Sequence, residues 1–597
     1  MNISTLLIAN RGEIAIRIAR AARDLGLKAV AVYSEDDAHS LHTQVANKSY
    51  PLKGNGPTAY LDMDAIFTVA QEMGCDAIHP GYGFLAERAD FAGRCANSGM
   101  LFIGPNTEHL DLFGDKVKAR TAAASLGLPV LSGLDHPITL DDAKAFFKQI
   151  SPNNMMIKAI AGGGGRGTRV VTAADDIEPA YERCRSESKT AFGKDELYVE
   201  EFISRARHIE VQIVGDKNGN IAHLGERECS FQRRFQKIIE VAPAPNLSND
   251  LRTKIIDAAM QFAKHVRYTN LGTFEFLVDL SNRSNAQPFI FIEANARLQV
   301  EHTVTEEVMG VDLVQTQIRL ADGASLDELE LNNQLISEPR GYAIETRVNM
   351  ETYEDDGSVR PATGTLSIYE APNGPGVRTD GFGYAGYHTS NAFDSLLAKV
   401  ICHSSTKNFC DAVSRSTRAL SEFRLKGVNT NIQFLQNILN HDHFAQGKGH
   451  TRWIDEHLTE LLPIPTGSDQ HYAPIDQSNT GITDGYAGAR IESRDPLALF
   501  AYDAEVKASL RVDGAAGDQL PATGPDGSVG LTAPIQGTII SLDVALGEQV
   551  QRGQQLAVVE AMKMENILRA ERDATVAAIR AEEGASLTVD QVILEFV

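Results

Sequence analysis

Glu560-Ala561-Met562-Lys563-Met564-Glu565-Asn566 lies near the C-terminal end of a 597-residue sequence, and the residues around it form a repeat. An offset of 37 residues pairs Ala533 with Ala570 and Thr538-Ile539 with Thr575-Val576. It also pairs Gly547 with Gly584, Gly553 with Asp590 and Leu556 with Ile593. Turn residues at matching places predict two similar β-rich halves related by a pseudo-dyad. Lys563 falls in the segment joining them, where a tight turn would put its ammonium in water.

Outward from this stretch, composition narrows the class. A net charge of −23 and a pI near 5.2 exclude the basic footprint of a nucleic-acid binder. Anionic substrates would be drawn by local basic pockets. The six cysteines (Cys75, Cys95, Cys184, Cys229, Cys402 and Cys410) have no CxxC or metal-ligand spacing, as expected in a reducing compartment. Met1-Asn2-Ile3 leads into a strand with no leader pattern, and no apolar run reaches the roughly 18 residues of a membrane span. The expectation is a soluble cytoplasmic enzyme with neither nucleic acid nor membrane as partner.

The chain starts as βαβ: strand Thr5–Ala9, helix Gly12–Leu25 with Ile14, Ile18, Ala22 and Leu25 on one face, and strand Lys28–Tyr33. Asp76–His79 and Leu101–Ile103 extend a parallel sheet. Asn10-Arg11-Gly12-Glu13 is no GxGxxG, so a dinucleotide site is not supported. Ala161-Gly162-Gly163-Gly164-Gly165-Arg166-Gly167 can cradle phosphates on its backbone N–H groups or serve as a flexible linker. Lys158 lies at a strand end, Lys116 is uninformative alone, and His208, on the alternating stretch 208–212, could be only an exposed strand histidine.

The sharpest pattern is 293–301. Glu293, Asn295, Arg297, Gln299 and Glu301 alternate with Ala294, Ala296, Leu298 and Val300. In an extended chain all five polar groups share one face, as they would on a solvated sheet. The apolar run Phe289–Ile292 before them favours a buried strand. Glu275, on candidate strand Thr273–Leu280, could meet Glu293 across a hairpin whose turn holds Asn282, Ser284 and Asn285. Two buried carboxylates repel without a cation between them, and hard oxygen ligands, Asn295 included, suit Mg²⁺.

Two resemblances follow. A lysine between two methionines within a quasi-repeated β-domain resembles the attachment site of biotinyl carrier domains, which implies biotin bound to Lys563. Gly114-Asp115-Lys116, the tetraglycine loop, Arg207–Glu210, Gln232-Arg233-Arg234, Gly272–Phe276 and Glu293–His302, with Arg11-Gly12-Glu13 and His79–Phe84, resemble biotin carboxylase, an ATP-grasp enzyme, over about residues 1 to 450. The implied fold class is α/β: a Rossmann-like N-terminal domain (1–113), an ATP-grasp domain (114–333) and a C-terminal subdomain (334–450). A partly flexible linker (451–529), with a short docking helix at Pro496–Val506, would lead to a small all-β flattened barrel (530–597).

That resemblance implies that ATP activates bicarbonate as carboxyphosphate and that the released CO₂ carboxylates biotin. Lys116, Lys158, Gly164 and Gly165 would hold phosphates. Glu200 and the Ile203 backbone would read adenine, His208 would take the ribose or nearby phosphate region, and Gln232 would join the cofactor-binding set. Glu275, Glu293 and Asn295 would hold Mg²⁺, with Mn²⁺ an alternative. Lys237, Arg297, Gln299 and the Val300 backbone would bind bicarbonate, Glu301 would be the general base, and Arg347 would stabilise charge on the ureido oxygen. Phe235 stands where the family commonly has histidine and cannot donate a hydrogen bond, so a polar contact to nucleotide is lost there.

With no segment left for a carboxyltransferase, a separate β subunit is the expected partner, alongside biotin protein ligase and a homodimeric carboxylase. The layout is similar to the biotinylated α subunit of an acetyl- or propionyl-CoA carboxylase, and the fusion argues against two-subunit pyruvate carboxylases. Rival readings are a longer or branched acyl-CoA acceptor, or an inactive biotinylated scaffold.

Overall fold

The computed structural model describes residues 2–134, 136–160, 167–281, 288–332, 338–354, 357–462, 529–533, 537–561, 564–570, 572–587 and 591–596. It separates into two units, Met1–Asp469 and Gln470–Val597.

The first unit opens as expected. Strands β1 (Thr5–Ile8), β2 (Lys28–Tyr33), β3 (Lys48–Pro51), β4 (Ala77–His79) and β5 (Leu101–Phe102) form a parallel sheet in the order β3-β2-β1-β4-β5. Helix Gly12–Asp24 crosses it with Ile14, Ile18 and Ala22 buried in the core. Its first residue, Gly12, has φ +63°, so the turn out of β1 needs a residue without Cβ strain. Leu25 lies just past the helix end.

Next come β6 (Asn154–Ala159), β7 (Thr168–Val171) and β8 (Leu197–Phe202), a separate antiparallel sheet in the order β7-β6-β8. Lys158 and Glu200 sit on its neighbouring strands β6 and β8.

Eight strands then make the sheet that carries the polar site. They are β9 (Ala206–Gly215), β10 (Ile221–Arg233), β11 (Gln236–Ala242), β12 (Asn270–Asp279), β13 (Ile290–Asn295), β14 (Tyr342–Asn349), β18 (Val377–Gly381) and β19 (Leu396–Ser404). Their order is β13-β12-β9-β10-β11-β14-β19-β18, antiparallel throughout. Short ribbons pair β15 (Glu351–Tyr353) with β16 (Val359–Pro361) and β17 (Ile368–Glu370) with β20 (Arg424–Lys426). Helix Asn249–His265 covers one face, where Ile209, Val211, Ile213, Phe262 and Phe274 share a core. Full burial of each such side chain is worth about 1.5–3 kcal/mol. Every residue of β9 is buried, His208 among them at 7% exposure, so the exposed-histidine reading fails. Alternation there separates an apolar core from a buried polar face, not from water.

Arg234 and Phe235 join β10 to β11 with φ +48° and +64°. Left-handed geometry at both positions is what a two-residue type I′ hairpin turn demands. Phe235 is 39% exposed.

The second unit bears out the repeat. Its strands are β21 (Val529–Thr532), β22 (Gly537–Leu542), β23 (Gln549–Val550), β24 (Gln555–Ala561), β25 (Met564–Arg569), β26 (Ala574–Ile579), β27 (Ser586–Leu587) and β28 (Val592–Phe596). They form two four-stranded sheets, β21-β28-β26-β23 and β25-β24-β22-β27. Exchanging each strand for its repeat partner converts one order into the other, so both sheets draw on both halves. Ile539 and Val576, and likewise Leu556 and Ile593, are equivalent core residues. Gly547 and Gly584 both have φ +82°. Ala561 pairs with Met564, which leaves Met562 and Lys563 between β24 and β25. Lys563, the hairpin turn at Asn282, Ser284 and Asn285, the loop residues Gly164 and Gly165, and the linker with Pro496–Val506 lie outside the described residues.

Candidate active site

Antiparallel register assembles the site. On β12 and β13, Glu275 stands opposite Glu293 and Thr273 opposite Asn295. On β9, Glu210 stands opposite Glu275, and on β10, Arg227 stands opposite Glu210. Three carboxylates and a guanidinium therefore run in one row across four strands. Like charges directly opposite are destabilising in a sheet, so such a row needs cations.

The cations are in place. Arg227 Nε lies 2.5 Å from Glu210, and its other nitrogens reach Gln212, Thr305 and Thr273. Lys237 Nζ lies 2.6 Å from Glu210, 3.2 Å from Glu275 and 2.5 Å from Glu301. His208 Nε2 is 2.7 Å from Glu275, while Gln232 bonds its Nδ1 at 2.8 Å. Lys116 pairs with Glu293, and Lys158 with Glu200. Burial opposes ionisation of Glu275, yet Lys237 and His208 hold it well below the ordinary carboxylate range. Burial likewise opposes Glu301, and Lys237, Arg347 and Arg227 keep it ionised. For Glu293 the same role falls to Lys116.

The expected unbroken alternation from 293 to 301 is only half strand. β13 stops at Asn295, and the chain turns through 297–301 into helix His302–Met309 with Glu301 at its N-cap. The five side chains still converge. Arg297 donates to Gln299 at 2.7 Å and Asn295 at 3.1 Å, and also reaches Glu87 at 3.1 Å. Asn295 and Gln299 both donate to Glu275, at 2.7 and 3.1 Å. The Val300 carbonyl is engaged by Lys399 Nζ at 2.7 Å. Ile203 is buried just past the end of β8.

Arg347 pairs with Glu301 at 3.0 Å and with Glu240. Glu240 faces Glu345 in register across β11 and β14. Burial, opposed by Arg347 and aided by Glu301, pushes Glu240 up to about 7. Burial, opposed by Lys399 and aided by Glu240, pushes Glu345 up to about 8. Sequence reading missed Glu210, Arg227, Glu240, Glu345 and Lys399. The available signal was a charge inside an apolar strand, as in Ile238-Ile239-Glu240-Val241.

Two facing carboxylates with an amide oxygen beside them are a hard-oxygen donor set that fits Mg²⁺. The lysines and histidine now holding those carboxylates ionised show that the pair is built to face positive charge.

Four family descriptions match in order: "Biotin carboxylase, N-terminal domain" over residues 2–110, "Carbamoyl-phosphate synthase L chain, ATP binding domain" over 115–329, "Biotin carboxylase C-terminal domain" over 345–456 and "Biotin-requiring enzyme" over 529–596. The biotin carboxylase domain of Hydrogenobacter thermophilus 2-oxoglutarate carboxylase, solved with MgADP, ADP and bicarbonate, is 38% identical with TM-score 0.73, covering 77% of this chain and 99% of that one. The chain belongs to the biotin carboxylase family. This carboxylase is an ATP-dependent ligase that combines an ATP-binding domain with a biotin-requiring domain.

Longer relatives extend the match. Bacillus subtilis pyruvate carboxylase is 44% identical over 532 residues, 88% of this chain and 44% of that protein. A single-chain, multi-domain long-chain acyl-CoA carboxylase is 36% identical with TM-score 0.67, covering 99% of this chain and 51% of the other. The carboxylase thus spans less than half of the curated pyruvate carboxylase. These matches overturn the expected carboxyltransferase on a separate β subunit. That expectation came from counting residues in this sequence, whereas the relatives have about half of their length outside the match in the same polypeptide. Among the described residues no helix is long and apolar enough to cross a membrane.

Proposed function

We propose that the row Arg227–Glu210–Glu275–Glu293, with the Lys237–Glu301–Arg347 ion cluster beside it, is where bicarbonate is activated for transfer to a biotin on Lys563. The observation that carries this is the register pairing of Glu275 with Glu293 next to a carboxylate held by two cations.

Lys116 and Lys158 would exchange Glu293 and Glu200 for nucleotide phosphates, joined by the backbone at Gly164 and Gly165. Glu200 and the chain to Ile203 would hold adenine. His208 and Gln232, bonded to each other and to Glu275, would orient that carboxylate as well as meet the nucleotide. Glu275, Glu293 and Asn295 would hold Mg²⁺, which supplies charge neutralisation to the terminal phosphates.

Lys237, Arg297, Gln299 and the Val300 backbone would receive bicarbonate, a planar anion suited to a guanidinium fork. Glu301, ionised but weakly basic while Lys237 and Arg347 flank it, would gain proton affinity when Lys237 turns to the anion. That timing fits a general base. Arg347 would donate to the biotin ureido oxygen; biotin supplies the nitrogen that takes up CO₂.

For the acceptor we favour an acyl-CoA, because the acyl-CoA carboxylase match covers 99% of this chain against 88% for the pyruvate carboxylase. Pyruvate is the second reading, favoured by the curated relatives. Purified protein should release ADP only with bicarbonate present, and faster with free biotin; bicarbonate-independent release would overturn the site. Protein captured on streptavidin from its native cells, given labelled bicarbonate, should label acyl-CoA. Label in oxaloacetate from added pyruvate would replace that acceptor.

A further inference from the structure

A second cluster of ligand-type side chains lies outside this site, at the end of the first unit. His441, His443 and His457 each offer a ring nitrogen within 4.8 Å of the others. Their ring centroids are 5.0, 5.3 and 5.4 Å apart. His441 and His443 lie at the start of the short helix Asp442–Ala445, and His457 follows Trp453–Glu456. All three rings are half-buried, so an ion could reach them from solvent.

We propose that His441, His443 and His457 bind one divalent transition-metal ion of the Zn²⁺ or Co²⁺ class, with Glu460 as a further oxygen ligand. His457 is already oriented for it. Its Nδ1 lies 2.9 Å from the Trp453 carbonyl, which fixes the proton there and leaves the Nε2 lone pair free. A backbone carbonyl on the far nitrogen is the usual support of a metal-ligating imidazole. Glu460 Oε2 is 3.6 Å from His441 Nε2. Asp442 and Lys448 contribute opposite charges at His443, and Glu460 stands beside His441. Three imidazoles and a carboxylate suit a four-coordinate borderline ion better than Mg²⁺ or Ca²⁺.

The other two rings set a cost. His441 Nδ1 accepts the His443 N–H at 3.1 Å, and His443 Nδ1 accepts the Trp453 indole N–H at 3.1 Å. In those neutral rings the proton is on Nε2. Metal at Nε2 moves it to Nδ1, releases no proton overall, and ends both contacts. Binding is therefore coupled to Trp453, which is also stacked on His457 at 4.6 Å.

Trp453 is the sole tryptophan of the chain, so its fluorescence reports on this cluster. The full chain, in excess Mg²⁺ to occupy the nucleotide site, is titrated with Co²⁺. Saturable quenching at one ion per chain, reversed by EDTA and competed by Zn²⁺, is expected. His457→Ala and His443→Gln should raise the half-saturation concentration at least tenfold. Glu460→Gln, on an exposed side chain, cannot disturb the packing and should raise it several-fold. No saturable quenching in the wild type, or titrations unchanged in Glu460→Gln and whichever histidine variant folds, would overturn the site.

Discussion

Glu275 and Glu293 face each other in register across two antiparallel strands, each held ionised by its own cation, Lys237 with His208 on one side and Lys116 on the other. Removing either carboxylate takes an oxygen from the proposed Mg²⁺ site. Glu293→Gln should raise the Mg²⁺ concentration for half-maximal ADP release tenfold or more, a loss of about 1.4 kcal/mol or greater. An unchanged Mg²⁺ curve would remove Glu293 from the ligand set.

Glu301→Gln keeps the size of the side chain and one acceptor oxygen, which can serve Lys237 or Arg347 but not both. If Glu301 takes the bicarbonate proton, bicarbonate-dependent ADP release should fall by about 10²–10⁴-fold with KM for ATP little changed. A drop confined to KM would assign it to binding instead.

Stability should depend on pH through the second carboxylate pair. Glu240 and Glu345 have folded values of about 7 and about 8, above the roughly 4.3 of an unfolded glutamate. Between these limits the folded chain binds protons that the unfolded chain has lost. Their contribution is complete below about pH 4.3 and disappears as pH rises through 7 to 8, at about 1.4 kcal/mol per pH unit for each group. Glu275 and Glu301, held low, act only in acid, where they weaken the fold as pH falls. Melting temperatures from pH 5 to 8.5 should therefore decline in the wild type and decline less in Glu345→Gln. Parallel slopes would contradict the assignment.

Arg227 has no exposed side-chain area and serves Glu210, Gln212, Thr273 and Thr305 at once. Arg227→Met leaves Glu210 with Lys237 alone, at a cost of about 3–5 kcal/mol. Denaturant unfolding measures it; a change within 1 kcal/mol would mean the row tolerates its carboxylates unaided.

Lys563→Ala should abolish streptavidin labelling while leaving bicarbonate-dependent ADP release with free biotin intact. Loss of both would count against separable modules.

Read as a sequence, the carrier repeat and the order of carboxylase motifs were legible because they are local. An offset of 37 residues survives as equivalent strands, and Gly547 and Gly584 share one φ because identical turns impose identical backbone demands. Alternation at 293–301 picked out residues whose side chains converge but implied the wrong backbone, since period two cannot distinguish a strand from a strand running into a turn. Counting residues also misplaced the transferase, which depends on what surrounds this chain.

Only the tertiary structure could decide which charges meet. Glu275 and Glu293 could be paired from the sequence as a hairpin, but Glu210 and His208 on β9 join them only through strand register, and Arg227 and Lys237 arrive from two further strands to hold them. Glu240 shows in sequence only as a charge inside an apolar run, and its facing partner Glu345 is fixed only when two strands bury them face to face. A side chain's type is written locally, whereas its burial and its partners, which set its charge, exist only once distant strands have paired.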